Sequence, residues 1–224
     1  AQLPEAERAL VEKVEKNREI LERAYNLCSD LGRVAKTVAK EGIEGVKKIS
    51  ITLGIPVRMM LAQRLSTAQE IVEKLQGRCA AEYKLDGERM QIHKDGDKIV
   101  IYSRRLENIT HMYPDVVDAC RKYIKAKQAI VEGECVAVNE AGELQPFQVL
   151  MHRRRKYEIE RIKEEIPVVL FLFDCLYVDG EDYTLKPYLE RRKKLEEIVE
   201  QSEDVRLTEM IISSDPEEIE KFFN

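Results

Sequence analysis

The 224-residue sequence contains no tryptophan, and aromatic residues make up only 6% of it. No run of about 18 or more apolar residues occurs, which argues against a membrane-spanning helix. The opening residues Ala1-Gln2-Leu3-Pro4-Glu5-Ala6-Glu7 form neither a signal peptide nor a transit peptide, which argues against secretion. Five cysteines, Cys28, Cys79, Cys120, Cys135 and Cys175, are an odd number without a Cys-x-x-Cys pair, a pattern that fits neither a disulfide framework nor a zinc site. Reduced thiols inside a cell are the expectation. His93, His111 and His152 show no metal-ligand spacing and read as structural or surface residues. Internal repeats and low-complexity segments are also missing.

What is present is an apolar fraction of 44%, enough for one or two domains with a hydrophobic core. Charged residues make up 35%, with both signs interleaved, a composition that suits a thermophile's ion-pair-rich surface. The net charge of −5 argues at first against a nucleic-acid partner. Its distribution reverses that argument: residues 1–55 carry +1, residues 56–157 carry +4 and residues 158–224 carry −10. An anion-binding surface in the middle segment remains open, because steering follows the local field rather than the total.

Apolar positions at helical spacing predict a helix over 4–27, followed by shorter helical pieces over 31–40 and 44–48. Ser50-Ile51-Thr52-Leu53-Gly54-Ile55-Pro56 reads as an extended connector, so a domain boundary is placed between residues 54 and 55. Beyond it the pattern predicts a helix over 67–75 and strands over 79–84, 89–94 and 99–102, the last two joined by Asp95-Gly96-Asp97. A helix over 114–125, short strands over 129–131 and 136–138, and a basic helix over 153–163 follow. The apolar run 167–178 reads as a buried strand. A helix over 189–200, a strand over 205–212 and a helix from residue 215 complete the pattern.

The most informative segment is Glu82-Tyr83-Lys84-Leu85-Asp86-Gly87-Glu88-Arg89, at the transition between two strands. A hairpin corner alone would need only Asp86-Gly87. The pattern Lys-x-Asp-Gly-x-Arg adds an amine and a guanidinium around the turn. Lys84 and Asp86 point to one side of an extended chain, and Gly87 permits the backbone to approach a ligand closely.

This segment resembles the nucleotidyltransferase motif of ATP-dependent DNA ligases, of the archaeal and eukaryotic replicative type. Ile55-Pro56-Val57-Arg58-Met59-Met60-Leu61-Ala62 resembles the linker entering their adenylation domain, and Met90-Gln91-Ile92-His93 the strand after the lysine motif. Tyr102-Ser103-Arg104-Arg105, Glu132-Gly133-Glu134-Cys135-Val136-Ala137 and Leu172-Phe173-Asp174-Cys175-Leu176-Tyr177 resemble the next three motifs in the family's order. The resemblance implies an α+β fold: an ATP-grasp-like adenylation domain of antiparallel sheets flanked by helices over residues 55–224. Residues 1–54 resemble the last helices of an all-α DNA-binding domain.

Carried onto this sequence, the resemblance makes Lys84 the nucleophile that attacks the α-phosphorus of ATP and keeps AMP on its side-chain nitrogen. A lysine amine is ordinarily protonated at neutral pH, so neighbouring cations or desolvation must favour its uncharged form. Arg89, Arg104 and a divalent metal, magnesium, are the implied neighbours, which also stabilise charge on the phosphate oxygens. Glu82 is similar to the residue that reads the adenine amino group, through its carboxylate or the adjoining backbone. Phe173 would pack on the adenine, Arg89 would contact ribose or phosphate, and Glu134 would bind ribose or, through water, the metal. Asp86 and Gly87 support the lysine. Without the resemblance, Phe173 reads as core, and Glu132 and Glu134 as one solvated face of a strand. Arg153, Arg154 and Arg155 read as an exposed helix end that, in a DNA-handling protein, meets phosphates.

The family's core continues with a glutamate-glycine motif, a lysine-rich motif and an OB-fold domain, none of which is found here. Residues 215–224 resemble the helix before the glutamate-glycine motif, so the expectation is an incomplete chain, poor in self-adenylation. The implied partner is nicked duplex DNA. A sliding-clamp contact would fall outside this sequence, where no clamp-binding peptide is found. The implied location is the cytoplasm of an archaeon or the nucleus of a eukaryote. RNA ligases and RNA-capping enzymes share Lys-x-Asp-Gly-x-Arg and are the alternative. A fragment that only binds DNA or a partner protein is the non-enzymatic one, although binding alone would not need Lys84.

Overall fold

The computed structural model describes residues 5–154 and 166–223. The chain divides into two compact units, residues 1–60 and 61–224.

The first unit is helical. α1 (Glu5–Cys28) and α2 (Leu31–Val46) are joined by Ser29 and Asp30, and the Asp30 carboxylate caps α2 by accepting from the Arg33 N–H at 2.9 Å. α2 is broken at Gly42, whose φ of 65° is open to glycine, so it behaves as the two helical pieces expected. Ala24, Cys28, Val34 and Val46 form the core of the pair, with Ile20, Leu21 and Tyr25 packed against it. The unit runs through Met60 instead of ending at Gly54, because the connector folds back on α1. Ser29 Oγ donates to the Pro56 carbonyl at 2.6 Å, the Arg58 N–H donates to the Asn26 carbonyl at 2.8 Å, and the Arg58 guanidinium lies 4.7 Å from the centre of the Tyr25 ring.

The second unit combines helices with two sheets. α3 (Ala68–Lys74) starts at a capping box in which Thr67 and Glu70 satisfy each other's backbone N–H groups. β1 (Cys79–Glu82) leads through the loop 83–87 into β2 (Glu88–Asp95), which turns at Gly96 into β3 (Lys98–Ser103). α4 (Pro114–Tyr123) follows, then β4 (Gln128–Ala137), α5 (Phe147–Met151), β5 (Val168–Val178) and the short β6 (Glu181–Asp182). α6 (Tyr188–Ile198), β7 (Val205–Leu207), β8 (Met210–Ser213) and α7 (Pro216–Phe223) complete it. The main sheet has the order β3-β2-β4-β5-β6, antiparallel throughout, with β7 added parallel to β5. β1 pairs instead with the distant β8. The two short strands expected over 129–138 are one strand, because pairing on both edges carries β4 through Glu132-Gly133-Glu134. The strand expected over 205–212 is two, serving different sheets.

One face of the main sheet makes the core. Met90, Ile92, Ile101, Val131, Cys135 and Leu172 are buried there, covered by Val116, Val117 and Cys120 of α4 and by Leu195 of α6. The five cysteines are free and buried, and burial pushes the Cys120 and Cys175 thiols up to about 12, which makes them poor nucleophiles. Among the described residues no helix is long and apolar enough to cross a membrane.

Arg153 departs from the expected exposed cluster. It lies in a 3₁₀ turn (His152–Arg154), its side chain 1% exposed, and its guanidinium grips Asp115 of α4 with Nη1–Oδ1 and Nη2–Oδ2 distances of 3.0 and 2.6 Å, while Nε donates to the Ile166 carbonyl at 2.9 Å. All three nitrogens of the fork are engaged inside the protein and the side chain is buried, so this residue is not presented to a DNA phosphate. The Arg154 side chain and all of Arg155 lie outside the described residues. We predict that Arg153→Ala lowers the unfolding free energy by roughly 3 kcal/mol, since it strands the Asp115 carboxylate. The salt dependence of DNA binding should stay unchanged. Denaturant melts and a salt titration of DNA affinity check both outcomes.

Candidate active site

The loop 83–87 rises between β1 and β2, and Lys84 and Asp86 are exposed on it. Lys84 forms no ion pair with a described residue. The loop is pinned at both ends. On one side the Tyr83 ring stacks on Phe222 of α7 at 4.5 Å, and its hydroxyl donates to the Phe222 carbonyl at 2.8 Å. On the other, the Gly87 N–H donates to Glu134 Oε1 at 3.2 Å. A Cβ on Gly87 would lie 2.2 Å from the Cys135 carbonyl oxygen. The glycine is therefore required by the close approach of β4.

β2 and β4 supply the floor. Successive side chains of a strand alternate between faces, so Arg89, Gln91 and His93 share one face of β2, opposite the face that carries Met90 and Ile92 to the core. Register places Glu134 against Arg89 and Glu132 against Gln91. Arg89 Nη2 reaches diagonally to Glu132 Oε2 at 2.7 Å, and Gln91 Nε2 donates to the other oxygen, Oε1, at 2.9 Å. Gln91, His93 and Glu132 are all buried, at 0%, 2% and 1% exposure. Burial holds the His93 imidazole down to about 4, so it is neutral at neutral pH. Burial also raises the Glu134 carboxyl above the usual range, an effect opposed by Arg89, the Gly87 N–H and Lys84. Lys84 stands three residues before Gly87, whose N–H is bonded to Glu134, so the loop that carries it is anchored at this end of the sheet.

β5 adds the apolar wall. Glu132 pairs with Asp174 and Gly133 with Leu172, which leaves Phe173 as the extra residue of a β-bulge. Bulges re-aim side chains, and here the Phe173 ring meets the Arg89 guanidinium at 4.4 Å. Arg89 Nε is buried without a hydrogen-bond partner among the described residues, while the side chain as a whole keeps 28% exposure.

The remaining expected residues lie around this centre. Arg104 is exposed in the turn after β3; Ser103 pairs with Met90, so the turn stands at the same end of the sheet as Arg89. Leu106, at φ 64°, closes that turn around the Ser103 hydroxyl, which accepts from the Arg105 and Glu107 N–H groups. Glu82 ends β1, but its carboxylate is engaged by Arg192 Nη1 at 3.1 Å and the Thr208 hydroxyl at 2.8 Å. Both bonds fall on Oε1, so the carboxylate is anchored to α6 and to the segment before β8.

Sequence patterns missed several members. Gln91 and His93 are in the network, and alternation with Met90 and Ile92 was the available signal. Arg191, bidentate to Asp174 at 2.7 and 3.1 Å, and Arg192, bound to Glu82, come from α6, whose charged run Glu190-Arg191-Arg192-Lys193-Lys194 resembles a solvated helix. No group of three or more His, Cys, Asp or Glu that would hold a metal ion exists among the described residues. Glu134 alone fits a magnesium ion that keeps most of its waters and takes its other ligands from phosphates.

The mixed sheet, the lysine-bearing loop and the Arg-Glu-Phe floor define the adenylation-domain class of nucleotidyltransferases. Within it, the chain belongs to the ATP-dependent DNA ligase domain family, whose model matches residues 59–224. Similar proteins are a DNA ligase of Hyperthermus butylicus, 60% identical over 92% of this chain and 34% of that protein, and one of Staphylothermus marinus, 60% identical over 92% and 35%. The chain thus spans about a third of the length of the curated relatives it matches. A solved structure described as Pmar-Lig_Pre shares the fold, with a TM-score of 0.52 at 19% identity, covering 86% of this chain and 41% of that one.

Two outcomes follow from this geometry. Gly87→Ala should destabilise the protein by about 1–3 kcal/mol, because the added methyl meets a strand backbone. It should also reduce any reaction at Lys84, by breaking the Gly87–Glu134 bond; denaturant melts and an assay for a nucleotide adduct test this. For pH, the His93 pKa is depressed in the fold, so the unfolded chain binds the extra proton first. Stability from this residue is fully present above about pH 6.5 and declines as pH falls towards 4, by about 3 kcal/mol in all. His93→Gln should flatten that slope in melts at pH 7 and pH 5.

Proposed function

We propose that the chain is the adenylation part of an enzyme that seals nicks in duplex DNA with ATP. The observation that carries this reading is the exposed Lys84, without an ion pair among the described residues, on a loop whose Gly87 N–H is tied to Glu134, the register partner of Arg89, which in turn meets Phe173. Lys84 Nζ attacks the α-phosphorus, the bond to the β-phosphate oxygen breaks and pyrophosphate leaves, giving a phosphoramide-linked AMP. The adenylate passes to the 5′-phosphate at a nick, and the neighbouring 3′-hydroxyl attacks that phosphate and expels AMP.

Each residue has a task suited to its place. Phe173 offers a flat apolar face to the base, and the Glu82 backbone reads its edge. The Arg89 guanidinium donates to ribose or phosphate, while Arg104 adds positive charge near the phosphates. Glu134, its carboxyl made less acidic by burial, accepts from a ribose hydroxyl or from metal-bound water. A magnesium ion would supply further charge neutralisation at the phosphates. The first unit is proposed as the helical end of a DNA-binding domain, and the protein is placed inside the cell, where its substrate is.

In the intact protein, Lys84→Ala should abolish the covalent AMP adduct seen by mass spectrometry after incubation with ATP, and persistence of the adduct would sink the assignment. Comparing nicked DNA with nicked RNA as substrate tests the polynucleotide. Sealing of RNA alone would move the protein to the RNA ligases.

A further inference from the structure

Two buried polar residues have no part in that reaction scheme, yet they are joined to it by a continuous set of hydrogen bonds. Arg89 Nη2 donates to Glu132 Oε2 at 2.7 Å, Gln91 Nε2 donates to Glu132 Oε1 at 2.9 Å, and Gln91 Oε1 meets His93 Nε2 at 2.9 Å. The directions of these bonds are dictated by the chemistry. A carboxylate only accepts, so the Gln91 amide must turn its NH₂ towards Glu132 and its oxygen towards His93. His93 must then carry its proton on Nε2 and donate. Its ring is held edge-on by Tyr102, with centroids 5.1 Å apart.

Both ends of the Gln91 amide are thus engaged, one by Glu132 and the other by His93. Both Glu132 oxygens are held in turn, Oε1 by Gln91 and Oε2 by Arg89. The Arg89 guanidinium is thereby kept beside the Phe173 ring.

We propose that His93 and Gln91 are positioning residues for nucleotide binding, locking the Glu132 carboxylate and through it the Arg89 guanidinium in the geometry that receives ATP. The proposal rests on the ATP reading above. It differs from a merely structural role in predicting an effect on affinity: a hydrogen bond to a charged group is worth roughly tenfold or more in an equilibrium constant.

The test uses the intact protein. Gln91→Leu should raise the KM for ATP in lysyl-AMP formation roughly tenfold, with a smaller change in kcat, while Tm is followed in parallel. If Gln91→Leu does not fold, His93→Gln and His93→Asn serve instead. Glutamine can place an N–H where Nε2 stands and should keep the KM; asparagine is too short and should raise it. Equal KM values for the folded variants and the parent would overturn the proposal, as would a loss confined to Tm and active fraction. Non-covalent ATP binding measured in a Lys84→Ala background separates the two readings. If Lys84→Ala keeps its adduct, the nucleophile assignment fails, yet weaker ATP binding on adding Gln91→Leu still supports the lock. If the parent protein neither binds ATP nor forms the adduct, the ATP reading itself fails and the lock falls with it.

Discussion

β4 is paired along both edges, to β2 and to β5, and this leaves its side chains only two directions in which to go. Val131, Gly133 and Cys135 go to the core; Glu132 and Glu134 go to the opposite face. A slip of one residue would exchange the sets, placing two carboxylates in a hydrocarbon layer. Close backbone contacts hold the register. A Cβ on Gly133 would lie 2.6 Å from the Phe171 carbonyl oxygen, and one on Gly87 would meet the Cys135 carbonyl. The acidic face of β4 is in turn tolerable only because it is answered. Glu132, with its side chain 2% exposed, has one oxygen on Arg89 and the other on Gln91, so the cost of desolvating its charge is offset by two directed bonds.

The same arithmetic governs the cations. Arg153 is tied to Asp115, Arg191 to Asp174 and Arg192 to Glu82, in each case a guanidinium that is mostly or wholly buried with its carboxylate. These pairs neutralise themselves and contribute little field at a distance. Lys84, Arg104 and Arg105 form no ion pair with a described residue and are exposed near one end of the sheet. An anion approaching this end of the sheet would find these three cations available. A net charge of −5 is consequently a poor guide to this surface, since much of the acidity lies in the last third of the chain, away from these three cations in sequence.

Local patterns revealed much of this. Alternation over β2 and β3 with Asp95-Gly96-Asp97 between them is a hairpin in sequence and in space, and the apolar run 167–178 is β5. Of Lys84, Arg89, Glu134 and Phe173, singled out by their motifs, the sheet brings the last three together, and Lys84 lies on the loop that leads into β2. What could not be read depends on partners far away in the chain. β1 finds β8 across more than a hundred residues, and that pairing carries Glu82 to Thr208 and Arg192. Arg153 looked exposed because basic runs generally are; only the placement of α4 supplies the carboxylate that buries it. His93 looked like a surface or structural residue because a period-two pattern does not say whether the second face of a strand is wet. Here that face is buried as well, and its polar residues form a network.

Phe173 shows how these constraints meet. Its bulge exists because β4 and β5 lose register between Glu132 and Gly133, and the ring it turns outward is covered by Arg89. On the proposed reading, a base that stacked on the face now covered by Arg89 would take the place of that guanidinium on the ring. The contact given up is worth about 0.5–2 kcal/mol, and stacking of a base on an aromatic side chain about 1–3 kcal/mol, so that exchange is close to balanced. Arg89 need not leave the site, because its bond to Glu132 uses Nη2 and is independent of the ring. Base stacking on that face alone would provide little net affinity, and the larger gain would come from phosphates and ribose meeting the Arg89 guanidinium, Arg104 and Lys84.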